Sequence, residues 1–199
     1  MSSPPQIELI DYGGGNIASV MRALERLSVS YVKVGPDLLP SGRRPLILPG
    51  VGAFGATMAG LRRGGLHSRL VELLGRGVPY LGICVGLQIL FEKSAESEGT
   101  PGLGILCGEV ARLTHRKIPQ IGWNRLRAVN DPDAPEGEAY FVNSFAARPA
   151  DPGITLYESD YGGPFCAAIQ RQNVTGFQFH PEKSGPFGHE LLRRWLDAV

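Results

Sequence analysis

One cysteine in this sequence has the surroundings of a nucleophile. Cys84 lies in Tyr80-Leu81-Gly82-Ile83-Cys84-Val85-Gly86-Leu87-Gln88, the Gly-x-nucleophile-x-Gly form of a nucleophile elbow with sulfur in place of a serine oxygen. Small residues are needed on both sides, because the nucleophile occupies a strained strand-to-helix turn where side chains would collide. A helix expected over 85–91 would direct its N-terminus at the sulfur and favour the thiolate. The Val85 N–H would then stabilise an oxyanion. The alternative is a buried cysteine packing as a small hydrophobe.

A thiolate nucleophile needs a base, and the base needs an orienting group. Of the four histidines, His67 sits beside Ser68 and Arg69, His115 lies in Thr114-His115-Arg116-Lys117, and His189 is near the start of the last helix. All three read as surface residues. His180 closes the strand Thr175-Gly176-Phe177-Gln178-Phe179 and is followed by Pro181 and Glu182. That spacing puts a carboxylate close enough to hold the second imidazole nitrogen, giving a Cys-His-Glu relay of Cys84, His180 and Glu182. Metal binding is the rival use of such residues, but further ligands at suitable spacing are missing, so neither a metal nor a cofactor is expected.

A second glycine cluster competes for attention. Gly13-Gly14-Gly15-Asn16-Ile17-Ala18 fits a Gly-x-Gly-x-x-Ala dinucleotide fingerprint, with Asp37 about where a ribose-binding acid would lie. Nothing downstream resembles a hydride-accepting site, and a tight strand-to-helix turn without ligand explains the glycines equally.

The elements that must position these groups follow from periodicity. Ile7–Ile10, Tyr31–Val34, Leu46–Leu48 and Val78–Cys84 read as strands, the last apolar enough for burial on both faces of a sheet. Ile17, Val20, Met21, Leu24 and Leu27 recur at helical spacing, as do Leu66, Leu70, Leu73 and Leu74. After about Gly99 short strands dominate: 109–113, 139–145, 154–158, 165–170 and 174–179. A final helix carries Leu191, Leu192, Trp195 and Leu196. The expectation is one α/β domain over residues 1–199, with a mostly parallel central sheet flanked by helices and an antiparallel C-terminal half.

Composition narrows the function classes. Lys+Arg 20 against Asp+Glu 19 in 199 residues leaves a net charge of +1, without the basic excess of a nucleic-acid-coating protein. Gly 27 and Pro 16 exceed a fifth of the chain, which signals many turns rather than low complexity. The uncharged stretches 45–61 and 78–91 are respectively too rich in Pro and Gly and too short for a membrane helix. Cys84, Cys107 and Cys166 form no CxxC pair, and no secretory leader is visible, so reduced thiols and a cytoplasmic location are expected.

The elbow with His180-Pro181-Glu182 resembles the class I (triad) glutamine amidotransferases. Further motifs are Asp11-Tyr12-Gly13-Gly14-Gly15-Asn16, Leu48-Pro49-Gly50-Val51-Gly52-Ala53-Phe54, Gln120-Ile121-Gly122-Trp123-Asn124, Tyr140-Phe141-Val142 and His180-Pro181-Glu182-Lys183-Ser184. Together they resemble the branch that supplies ammonia for histidine biosynthesis. The resemblance implies a fold with a flavodoxin-like core and glutamine as substrate. It also implies an oxyanion hole from Gly52 and Val85, and substrate contacts at Gly50, Gln88 and Ser144. The family's usual His before that Ser/Thr is Asn143 here.

It further implies a partner, because 199 residues leave no acceptor domain for the ammonia. That partner is a (β/α)8-barrel cyclase forming a heterodimer, which makes imidazole glycerol phosphate and aminoimidazole carboxamide ribotide. Asn16, Trp123, Asn124 and Lys183 are the expected contacts on it, Trp123 being the aromatic anchor. A triad glutaminase feeding another synthase, such as that of vitamin B6, would carry Gly-Gly-Glu-Ser where this chain has Pro49-Gly50-Val51-Gly52. A catalytically silent binding protein of the same fold would not need the intact relay.

Overall fold

In the computed structural model, which describes residues 6–14 and 17–199, β1 (Ile7–Ile10) is buried along its whole length. α1 (Ile17–Arg26) buries Val20, Ala23 and Leu24 and turns its charges outward, as its helical spacing requires. β2 (Tyr31–Val34), β3 (Leu46–Gly50) and β4 (Tyr80–Cys84) follow, with α2 (Phe54–Arg62) and α3 (Leu66–Gly75) between the last two. A single helical turn, α4 (Val85–Gln88), leads to β5 (Phe91–Ser94). Then come β6 (Leu106–Arg112), β7 (Gln120–Ala128), β8 (Gly137–Asn143) and β9 (Phe145–Pro149). β10 (Thr155–Asp160), β11 (Pro164–Arg171), β12 (Val174–Phe177) and α5 (Gly185–Asp197) complete the fold.

The sheet order is β2-β1-β3-β4-β12-β11-β10-β7-β8, with β9 branching from β11 and carrying β6 and β5. Pairings from β2 across to β12 are parallel; those from β12 out to β8 are antiparallel. β12, the last strand in sequence, therefore joins the two halves. β3, β4 and β12 are buried throughout, as expected of parallel strands covered on both faces.

Three local expectations are revised. The helix expected over 85–91 stops at Gln88. The Tyr80 hydroxyl takes the Gly86 carbonyl at 2.8 Å, so Leu90 N–H turns to Leu87 O at 3.2 Å, and the carbonyls of Ile89 and Leu90 pair with Leu103 and Ile105 N–H at 2.7 and 2.9 Å. The strand expected over 139–145 is broken at Ser144 into β8 and β9. α2 and β7 were not anticipated. α2 is a continuous helix whose sequence pattern is broken by Gly55 and Gly60, and β7 buries only Gln120 and Leu126, leaving no apolar alternation to read.

Candidate active site

Cys84 ends β4 with φ 54° and ψ −109°, a conformation that non-glycine residues seldom adopt and that marks functional turns. The flanking glycines provide space. A Cβ on Gly82 would run into the carbonyl oxygen of Gly86, and one on Gly86 into that of Leu48. The Gly86 carbonyl also accepts a hydrogen bond from the Tyr80 hydroxyl at 2.8 Å. The elbow is thus clasped from both sides.

The parallel register brings the imidazole to the sulfur. Phe177 of β12 pairs with Ile83 of β4, so the chain beyond β12 passes beside Cys84. His180 Nδ1 lies 2.8 Å from Glu182 Oε1, and the two side chains are 2% and 3% exposed. The His180 N–H donates to Tyr140 O at 2.9 Å. Ser184 Oγ donates to His180 O at 2.7 Å and accepts from Tyr140 N at 2.9 Å. Burial pushes the His180 pKa down, but the Cys84 sulfur and the Glu182 carboxylate outweigh it and raise the imidazole to about 9. With Nδ1 engaged by Glu182, Nε2 is the nitrogen left for the sulfur. The sulfur itself donates to Val142 O at 3.9 Å and accepts from Gln178 Nε2 at 3.7 Å. The expected helix dipole is largely missing, since α4 is one turn long. Cys166 is the contrasting thiol: burial pushes it up to about 12.

Cys84 opens on a cavity of about 250 Å³ whose walls include Gly52, Val85, Gln88, Ser144, His180 and Lys183. Gly52 has φ +131° and nothing within 4 Å of where a Cβ would stand. Gly50 lies behind this wall, its backbone against Gly86 N and Val85 Cβ, so what it supplies is close packing of β3 on the elbow. Gln88 Nε2 donates to Phe145 O at 3.1 Å and to Gln178 Oε1 at 3.0 Å. Both its N–H groups are spent within the protein, and only its carbonyl is free for a ligand. Ser144 sits at the bend between β8 and β9, beside Asn143, whose Nδ2 donates to Phe145 O at 3.1 Å.

Two residues of the site were missed in the sequence, one on the cavity wall and one buried behind it. Glu96 lines the cavity while its Oε2 accepts the Phe54 N–H at 2.7 Å at the start of α2. As one acid in a polar loop, it gave no signal. Gln178 gave a faint one, a lone amide inside the apolar strand expected over 174–179, although β12 ends at Phe177 and leaves Gln178 in the bend beyond it.

The expected partner face divides. Trp123 is 55% exposed and its β7 neighbour Ile121 63%, with Trp123 edge-on to Tyr140 at a centroid distance of 5.9 Å. Asn124 is engaged within the fold, donating to Asp160 O at 2.7 Å and accepting from Arg125 N at 2.8 Å. Lys183 is half-buried at the cavity, and Asn16 lies outside the described residues. Gly13 has φ +83°, which the tight-turn explanation requires, and Asp37 is exposed. His67, His115 and His189 do not line the cavity. Among the described residues no cluster of three metal-binding side chains occurs, and no helix is long and apolar enough to cross a membrane.

Comparison with known proteins fits this geometry. The family described as "Glutamine amidotransferase class-I" matches residues 8–199, and the chain belongs to that family. "Imidazole glycerol phosphate synthase subunit HisH" of Dehalococcoides mccartyi is 45% identical over 197 residues, covering 96% of each chain. The protein of the same description from Aquifex aeolicus is 45% identical over 194 residues, covering 94% of each. Among solved structures, that of PurLQS from Thermotoga maritima superposes with a TM-score of 0.78 at 21% identity, covering 98% of this chain and 99% of the other. It supports the α/β fold with a mixed sheet flanked by helices.

Proposed function

We propose that this chain is the glutaminase subunit of an imidazole glycerol phosphate synthase, a single domain over residues 1–199 that hydrolyses glutamine and hands the ammonia to a cyclase subunit. The observation that carries the reading is that Cys84, at the end of β4, and His180, just beyond the adjacent parallel β12, line one cavity, with Glu182 2.8 Å from the imidazole. The identity to the two relatives supports the pathway.

In this reading the Cys84 sulfur attacks the side-chain carboxamide carbon of glutamine. The negative charge that develops on oxygen is met by N–H groups of Val85 and Gly52. Protonated His180 gives its proton to the departing nitrogen; the C–N bond breaks, ammonia leaves, and a glutamyl thioester remains on sulfur. Neutral His180 then takes a proton from water as it attacks the thioester, and the C–S bond breaks to release glutamate. Glu182 holds the imidazole and favours its charged form throughout. The Glu96 carboxylate, the Gln88 carbonyl and the backbone at Ser144 suit the ammonium and carboxylate of the amino-acid end.

The partner is a (β/α)8-barrel cyclase, for which exposed Trp123 offers the anchor, with Lys183 at its edge and Asn16 as a further contact; the pair is a cytoplasmic heterodimer. Open space around Gly52 would allow its peptide to rotate, so that the oxyanion N–H could point away at rest. A rotation costing about 3 kcal/mol would hold the competent state near one percent until the partner favours it. Ammonia release from glutamine, measured with and without the nucleotide-loaded cyclase, tests this. Activation by the partner is expected, and no release in either case would overturn the proposal.

A further inference from the structure

Gln178 is wholly buried, 0% exposed, between Phe177 and Phe179. It follows the pairing of Phe177 with Ile83 and so falls beside Cys84. A buried primary amide must find partners for its carbonyl and its N–H groups. Which end of Gln178 faces the sulfur is fixed from the far side. The Phe145 main-chain carbonyl can only accept, so the Gln88 atom 3.1 Å from it is the NH₂ group. That same NH₂ lies 3.0 Å from Gln178, whose facing atom must therefore be Oε1. The remaining end of Gln178, 3.7 Å from Cys84 Sγ, is then its NH₂. Starting from a carbonyl that cannot be reversed, the chain of amides ends with an N–H aimed at the sulfur.

We propose that Gln178 is a catalytic residue of this reaction, its Nε2 amide donating to the Cys84 sulfur so as to hold it charged and aimed at the substrate. The proposal rests on the reading of Cys84 as the nucleophile. A hydrogen bond to a charged acceptor is stronger than one to a neutral acceptor, so the donor favours thiolate over thiol. It supplies what the one-turn α4 is too short to give. The bond weakens when the sulfur is acylated and strengthens as the sulfur departs from the thioester, so it assists that second step as well. Titratable groups around the sulfur are His180 and Glu182 beyond β12, Tyr12 after β1, and Glu96 and Lys183 on the cavity wall. A change at Gln178 leaves all of them in place.

The test is the pH profile of Cys84 alkylation by iodoacetamide, read on the Cys84 peptide in a Cys107→Ser background, since Cys107 is the exposed thiol. Gln178→Met and Gln178→Leu both remove the N–H and add no charge or other donor beside the sulfur. The expected result for each is a midpoint raised by about one pH unit and kcat lowered about tenfold, with KM within about twofold. A folded variant whose alkylation profile matches the parent overturns the proposal, whatever its stability. Should neither variant fold, the parent decides: the Gln178 side-chain amide resonance should move as the sulfur ionises, and an unmoved resonance overturns the proposal. Loss of the nucleophile reading would show separately, as full glutamine hydrolysis by Cys84→Ala.

Discussion

Two stretches of backbone flank the reactive sulfur, and they are built in opposite ways. The elbow has no slack: added carbons at Gly82 or Gly86 meet carbonyl oxygens, and the Tyr80 hydroxyl pins Gly86 at 2.8 Å. The segment after β3 is open, with Gly52 exposed, at φ +131° and unencumbered within 4 Å. The contrast matches a division of labour. In the proposed mechanism the nucleophile must keep its aim through every turnover, whereas the oxyanion donor would change state so that glutamine is not hydrolysed wastefully. Crowding supplies the first property and free space the second.

The bluntest way to break the comparison is to remove the sulfur that both stretches serve. Cys84→Ala should lower glutamine hydrolysis by at least about a thousandfold, while the complex with the cyclase still makes product from ammonium salt. Retention of glutamine-dependent synthesis within tenfold would contradict the assignment. Next come the glycines. Gly86→Ala should destabilise the fold by about 3 kcal/mol in chemical denaturation, because backbone has to move. Gly52→Ala should cost only about 1 kcal/mol, from its φ alone, yet lose most of the activity. Equal stability losses would remove the distinction between fixed and adjustable backbone.

A milder probe leaves both stretches intact and alters the base. His180 is raised to about 9 by Cys84 and Glu182 against the effect of burial. The imidazolium, which in the proposed reaction protonates the leaving amine, therefore persists up to that pH, and the rate should fall on the alkaline side near it. Glu182→Gln removes an anion that stabilises the imidazolium, which lowers the pKa, so the alkaline limb should move to lower pH with kcat reduced about tenfold. A limb that stays in place would show that Glu182 does not act on the base. Smallest is Asn143→Ala, which deletes one hydrogen bond to Phe145 O at 3.1 Å. A change of only a few fold in kcat/KM is expected, since one such bond contributes about 1 kcal/mol; a hundredfold loss would place Asn143 in the reaction itself.

What could be read from the sequence depended on whether the signal was local. β1, α1 and β4 declared themselves through apolar runs or helical spacing, because their burial is set by residues near in sequence. β7 did not, since most of its side chains face outward. The end of α4 did not either, because the Tyr80 hydroxyl takes a carbonyl within it and residues 103–106 take those beyond it. The site divides in the same manner. Cys84, His180 and Glu182 sit in short motifs whose spacing already points to the proposed relay. Glu96 reaches the cavity only because the loop after β5 caps α2, and Gln178 meets the sulfur only through the register of β12 with β4. Neither relation is written locally.

The account stands on a covalent intermediate at one sulfur, and that can be trapped. The protein is incubated with glutamine and the nucleotide-loaded cyclase, quenched in acid during turnover, and its peptides are mapped by mass. A glutamyl group on the Cys84 peptide, absent after Cys84→Ala, is the predicted result. Continued ammonia release with Cys84 unmodified throughout turnover, or a glutamyl group on Cys107 or Cys166 instead, would contradict it.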